Sequence, residues 1–271
     1  MHQNKTLKEK IRDGKNIYGT AIVSPSPHWP EALKDAGLDF VFLDTEHTPI
    51  DRMTLSAMCR YYASMNIAPF VRIPSPDPFE ACKALDGGAA GIVAPYIETP
   101  EQVMELVGAV KYKPLKGERL RRALNGEKLE EKLQAYLEER NKDNLLILNI
   151  ESVPAMQNLD AILEINGVDA VIVGPHDLSC SLGFPEEYRN PKFEEALRLI
   201  IKKVRMAGKA VGIHLSEDAQ FQIKWAAEGL NLIIHSSDIA LFSQRLKQDL
   251  ETIKESLNND HSTSVDKGII I

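Results

Sequence analysis

The sequence predicts a single-domain (β/α)8 barrel. Eight short apolar runs rich in β-branched residues recur along the 271-residue chain, and stretches with helical periodicity separate them. Neither GxGxxG nor GxxxxGK[ST] is present, which removes the phosphate turn expected of an open nucleotide-binding sheet. Strands that are apolar throughout, each followed by a helix, imply a parallel sheet buried on both faces, and eight such units close most simply into a barrel. The chain length suits one domain of this kind.

In order, strands are expected at IYGTAIV (17–23), FVFLDTE (40–46), APFVRIP (68–74) and GIVAPYI (91–97), then at LLILNIE (145–151), AVIVGPH (170–176), AVGIHLS (210–216) and LNLIIHS (230–236). Segments 29–37, 51–65, 77–86, 99–111, 154–165, 192–208, 217–228 and 240–257 carry apolar residues three and four apart and read as helices. Gly37, Gly88, Gly167, Gly208 and Gly229 stand where helices should end in left-handed caps. One charged insertion, 113–143, interrupts the alternation; Leu129, Leu133, Tyr136 and Leu137 give it one apolar stripe, read as a solvated helix with a narrow buried face. The barrel is expected over 1–258, with 259–271 a loosely ordered tail unless a neighbouring subunit covers it.

Composition excludes several function classes. A hydrophobic fraction of 44% and a charged fraction of 26% are ordinary for a full core, and the net charge of −7 offers no general attraction to nucleic acid or anionic lipid. No apolar run approaches 18 residues, so no membrane partner is expected. The charged start lacks the apolar core of a secretion signal. Cys59, Cys82 and Cys180 form no CxxC pair, so neither a disulfide framework nor a zinc cluster is indicated, and a cytoplasmic location is expected.

A parallel barrel builds its active site at the carboxyl ends of its strands. There the sequence places Asp44-Thr45-Glu46-His47, Arg72, Asn149-Ile150-Glu151, Gly174-Pro175-His176-Asp177, His214 and His235-Ser236-Ser237-Asp238. Glu151 and Asp177, on adjacent strands, can hold one hard cation and leave most of its shell to water and a chelating ligand. The bland alternatives are a satisfied loop carboxylate for Glu151 and, for Asp177, a helix N-cap. Arg72 is a permanent cation suited to a developing enolate, or else the partner of Asp44 or Glu46 in a structural ion pair. His47 suits a general base, with Asp44 or another carboxylate to orient it. His176, His214 and His235 leave a three-histidine zinc site open. No lysine stands at a strand's carboxyl end, since Lys209 precedes strand seven, and this disfavours a Schiff-base aldolase.

The motifs LDTEHTP (43–49), PFVRIP (69–74), LDGGAAGIVAP (85–95), NIES (149–152) and GPHDLS (174–179) resemble, in order and spacing, the HpcH/HpaI aldolase family. The similarity runs from about Gly19 to Asp238. It implies a class II, divalent-metal-dependent aldolase (Mg2+ or Mn2+, with Co2+ or Zn2+ as alternatives) that cleaves a 4-hydroxy-2-oxo acid to pyruvate and an aldehyde through an enolate. The resemblance makes His47 the base, Arg72 the transition-state stabiliser and Asp86 the aspartate that raises the basicity of His47. It makes Glu151 and Asp177 the metal ligands, and it puts Asn149, Gly174, His176 and the Asp177 backbone at the pyruvate end. It also implies a homo-oligomer, a hexamer or trimer with exchanged C-terminal helices.

The sequence departs from the pattern at Asn149, where glutamine is usual, and at His176, where a small residue is usual. It departs again at Gly117-Glu118-Arg119-Leu120, in place of Gly-x-Arg-Gly, and at the end of strand one, which lacks the common aromatic. Two other readings remain: an acyl-CoA lyase that binds phosphates through Arg119, Arg121 and Arg122, and a non-catalytic 2-oxo-acid binding protein.

Overall fold

The computed structural model describes residues 6–215 and 219–262, the last five as backbone only. Eight parallel strands form a closed barrel in chain order: β1 (Ile17–Ile22), β2 (Phe40–Asp44), β3 (Ala68–Arg72), β4 (Gly91–Ala94), β5 (Leu145–Ile150), β6 (Ala170–Val173), β7 (Ala210–Leu215) and β8 (Leu232–Ser237), which pairs back to β1. The fold class and all eight strand positions agree with the sequence reading. The expected ends of β2, β3, β4 and β6 run two or three residues too far and those of β1 and β5 one residue, while β8 extends one residue beyond expectation. Ser216 lies outside the described residues.

The helices are α1 (Leu7–Arg12), α2 (Trp29–Leu33), α3 (Arg52–Ser64), α4 (Pro78–Gly87), α5 (Pro100–Lys111), α6 (Gly117–Leu124), α7 (Glu131–Asn141), α8 (Val153–Gln157), α9 (Leu159–Glu164), α10 (Pro175–Ser181), α11 (Pro191–Met206), α12 (Ala219–Ala227) and α13 (Asp238–Ser262). Three differ from expectation for readable reasons. Helix α1 is closed by a Thr6/Glu9 capping box, a T-x-x-E signature present in the sequence. Helix α10 starts at Pro175, a residue suited to a first helical position, rather than continuing the strand. The insertion forms two helices, α6 and α7, and in α7 Leu137 is buried while Tyr136 is exposed. The tail is helical as far as Ser262; residues 263–271 lie outside the described residues. The five predicted cap glycines all have positive φ. No helix among the described residues is long and apolar enough to cross a membrane.

Period-two alternation splits the core into two layers. Val41, Leu43, Val71, Ile92, Leu146, Leu148 and Val171 point outward to the helices. Ile17, Phe40, Phe42, Phe70, Val93, Leu145, Ile147, Ile172, Leu232 and Ile234 fill the barrel, and Ile11 of α1 packs onto the same cluster. Phe40 stacks on Phe70 at 4.5 Å, and this bulk is accommodated because β1 contributes Gly19 and β4 contributes Gly91. A Cβ on Gly19 would lie 2.5 Å from the Phe40 ring. Gly19→Ala is therefore expected to lower stability by about 1–3 kcal/mol, seen as an earlier urea midpoint; an unchanged midpoint would show that the interior has slack.

Candidate active site

The inward row on each strand changes from apolar to polar at the carboxyl end. On β2 it reads Phe40, Phe42, Asp44; on β3, Phe70, Arg72; on β5, Leu145, Ile147, Asn149, with Glu151 following. The register sets Asp44 beside Arg72. Arg72 donates to Asp44 through Nε (2.9 Å) and Nη2 (2.6 Å), lies 3.1 Å from a Glu46 oxygen through Nη1, and rests over the Phe42 ring at 5.4 Å. The ion-pair reading of Arg72 is thus realised. Burial alone would raise the Asp44 carboxyl, but Arg72 outweighs it and holds the group below its ordinary range. Burial likewise opposes the charge on Arg72, and Asp44 more than restores it. Two of its five N–H groups are committed to Asp44, so Arg72 keeps donors for a ligand.

Glu151, like Asp44, is a buried carboxylate at the mouth. One oxygen accepts the Tyr96 backbone N–H at 2.7 Å and the other accepts the Asn149 amide at 3.0 Å. Its side chain lies against Gly174, where a Cβ would come within 2.6 Å of its oxygen. Burial pushes Glu151 above the usual carboxylate range; the Tyr96 N–H opposes this, and the charges of Asp177 and Glu46 add to it. Asp177 is exposed in the first turn of α10, three residues beyond Gly174.

Asp44, Glu46 and Glu151 therefore gather around the positive charge of Arg72, Asp177 lies within the field of Glu151, and Glu46 and Asn149 each keep a buried oxygen without a hydrogen-bond partner. This oxygen-rich, acid-heavy donor set fits a hard divalent cation. No group of three or more His, Cys, Asp or Glu able to hold a metal occurs among the described residues. An ion on Glu151 and Asp177 would take its remaining ligands from water or substrate. The three-histidine zinc arrangement is not formed. His214 is half-buried with Nε2 3.0 Å from the Ser236 carbonyl, and desolvation keeps its pKa low. His176 is exposed, 3.6 Å from Glu186.

His47 stands exposed at the mouth, its Nε2 3.6 Å from a Glu46 oxygen. Asp86 does not join it. Helix α4 runs back toward the strand starts, and Asp86 on its last turn is ion-paired with Lys113. Within one chain it is not a partner of His47, and the role implied for it would need a second chain. Arg119, Arg121 and Arg122 lie on the connection into the start of β5, away from the mouth, and pair with Glu127, Glu130 and Glu118. The phosphate site proposed for them is not built. Lys209 bonds the Val168 carbonyl at the strand starts.

Sequence reasoning used Glu46 only as a possible partner of Arg72 and passed over Tyr96. Glu46 was visible in Asp-Thr-Glu-His. Tyr96 carried no signal, because its contribution comes from a left-handed backbone (φ 56°) that turns its N–H onto Glu151. Its phenol is hydrogen-bonded to Glu46, which with burial pushes it up to about 12.

The profile of the HpcH/HpaI aldolase/citrate lyase family matches residues 22–243. The chain is 32% identical over 257 residues to a 2-keto-3-deoxy-L-rhamnonate aldolase of Salmonella typhimurium, covering 92% of each chain. Among solved structures, an HpcH/HpaI aldolase from Desulfitobacterium hafniense superimposes with TM-score 0.81 at 29% identity, covering 93% of this chain and 98% of that one. The citrate synthase SbnG superimposes with TM-score 0.80 at 30% identity, covering 93% and 99%.

Removing the charge of Asp44 tests the pair at the base of this site. Asp44→Asn removes both charge-assisted hydrogen bonds of Arg72 and leaves Glu46 as its nearest carboxylate, at a cost on the order of 3 kcal/mol at pH 7. The folded-state pKa of Asp44 lies below its ordinary 3.8, so its contribution is complete above that value and is lost as pH falls through the folded one. The stability gap between wild type and Asp44→Asn, read from urea unfolding, should narrow as the pH is lowered below 3.8. A gap that stays constant with pH would mean that the charge of Asp44 is not what stabilises the fold.

Proposed function

The chain belongs to the HpcH/HpaI aldolase/citrate lyase family, the carbon–carbon lyases, and on that premise we propose that it is a class II aldolase reversibly cleaving a 4-hydroxy-2-oxo acid to pyruvate and an aldehyde. The observation that carries this reading is Glu151: a buried carboxylate oriented by two hydrogen bonds, beside Asp177 and across from Arg72, at the mouth of the barrel. The uncommitted N–H groups of Arg72 meet the oxygens of the 2-oxo acid. His47, exposed beside them, removes the C4 hydroxyl proton as the O–H electrons form the aldehyde carbonyl and the C3–C4 pair passes to the enolate. Protonation at C3 then yields pyruvate. A divalent cation on Glu151 and Asp177, Mg2+ or Mn2+ in the first instance, supplies positive charge for the oxygens that become negative. Asn149 holds Glu151 in place, and Gly174 leaves it room.

The name of the Salmonella relative makes 2-keto-3-deoxy sugar acids the first substrate class to test. The acyl-CoA lyase alternative loses its support with the pairing of Arg119, Arg121 and Arg122. Pyruvate, a panel of small aldehydes and Mn2+ should give aldol product. EDTA should abolish it, and Glu151→Ala should lower the rate about 100-fold or more. Turnover insensitive to both would refute the metal role.

A cytoplasmic homo-oligomer, hexamer or trimer, accompanies this reading. Helix α13 exposes Ile239, Phe242, Leu246, Leu250, Ile253 and Leu257 at three- and four-residue spacing, a stripe suited to burial against another copy. Tyr18, on the outer face of β1, is also exposed. Light scattering should give a mass several times the 30.2 kDa of one chain, and Leu246→Lys with Leu250→Lys should lower it. A monomeric wild type would end this part of the proposal.

A further inference from the structure

We propose that Glu46 is the positioning residue of His47, fixing the imidazole against Arg72 at the barrel mouth; the inference rests on His47 being the base of the aldolase reading. The Glu46 side chain is only 9% exposed, yet one of its oxygens has no hydrogen bond. Buried carboxylate oxygens are ordinarily satisfied, so an unpartnered one calls for a reason. That oxygen, Oε2, lies 3.1 Å from Arg72 Nη1 and is compensated by the guanidinium charge without a hydrogen bond, while the other oxygen, Oε1, faces His47.

What Glu46 does is join elements. One oxygen lies 3.1 Å from Arg72 Nη1 on β3 and the other 3.6 Å from His47 Nε2, while the Tyr96 phenol reaches it from the end of β4. Asp44 and, from the end of β5, Glu151 are the other charged groups facing it. The backbone carrying Glu46 and His47 is itself pinned. The Glu46 N–H donates to Asp44 at 3.0 Å, and both the N–H (3.1 Å) and hydroxyl (2.6 Å) of Thr45 donate to the Arg72 carbonyl. The carboxylate is thus a fixed point, and the exposed imidazole is the part free to move. At 3.6 Å the two do not yet form a hydrogen bond. Such contacts are often long without substrate and tighten in the reactive complex. With Nε2–H donating to Glu46, Nδ1 keeps its lone pair for the C4 hydroxyl proton. This is the orienting task that Asp86, at the other end of the barrel, does not perform within the chain.

The test uses the full-length protein with Mn2+ and compares wild type, Glu46→Gln, His47→Ala and the double variant. Glutamine matches glutamate in shape, so folding is preserved where alanine would leave a cavity. Glu46→Gln should lower kcat about 10-fold or more, with KM for the 2-oxo acid and the Kd for Mn2+ each within about threefold. In the His47→Ala background the same change should alter kcat less than about threefold, because a residue acting through another has nothing left to act on. An unchanged kcat, losses that multiply, or a weakened Mn2+ Kd would each overturn the assignment.

A second readout needs no turnover. Acylation of His47 by diethyl pyrocarbonate, followed by peptide mass spectrometry, should slow at least about threefold in Glu46→Gln, and an unaltered rate refutes the proposal. An inactive wild type with this slowing intact would sink the aldolase reading and leave the Glu46–His47 contact supported.

Discussion

The paired hydrogen bonds between Arg72 and Asp44 are the contact on which the rest of the mouth depends. They join two neighbouring strands in register and bring a guanidinium into a ring of carboxylates. Phe42 supports the guanidinium from below, and Glu46 flanks it. Arg72 is consequently an oriented donor rather than a freely moving charge. An oriented donor costs little reorganisation when negative charge appears on a ligand.

Around that cation the acidic groups are in excess, and the excess has consequences for chemistry. Burial already disfavours the charged form of Glu151, and Asp177 and Glu46 disfavour it further. The fold tolerates this because a Tyr96 N–H, set by a left-handed backbone, and the Asn149 amide partly satisfy the carboxylate. Strain and uncompensated charge collected in one place suit a ligand more than they suit stability. A divalent ion would relieve both at once.

Two groups of residues stand away from the mouth within one chain for one geometric reason. In a parallel barrel every helix returns the chain from the carboxyl ends of the strands to their amino ends. Asp86, late in α4, and the arginines between α5 and β5 are therefore carried away from the mouth. Along the sequence they stand close to site motifs, and only the direction of the chain separates them from the site. His47 and Glu46 escape this because they follow β2 immediately, before the return begins.

The strands, the barrel and the inward positions were legible in the order of the residues, because hydrophobic period and the placement of Gly and Pro are local properties of the chain. The positions of Arg72 and Glu151 at the barrel mouth were legible too, since an ionisable residue that ends an apolar strand is seldom there for packing. The pairing of Arg72 with Asp44, the separation of Asp86 from His47 within one chain, and the contacts of Glu46 and Tyr96 became visible only in the folded chain. They depend on distances between strands, on the sense in which helices run and on one backbone angle. Such quantities exist only after the barrel closes, when charges far apart in sequence come into each other's field.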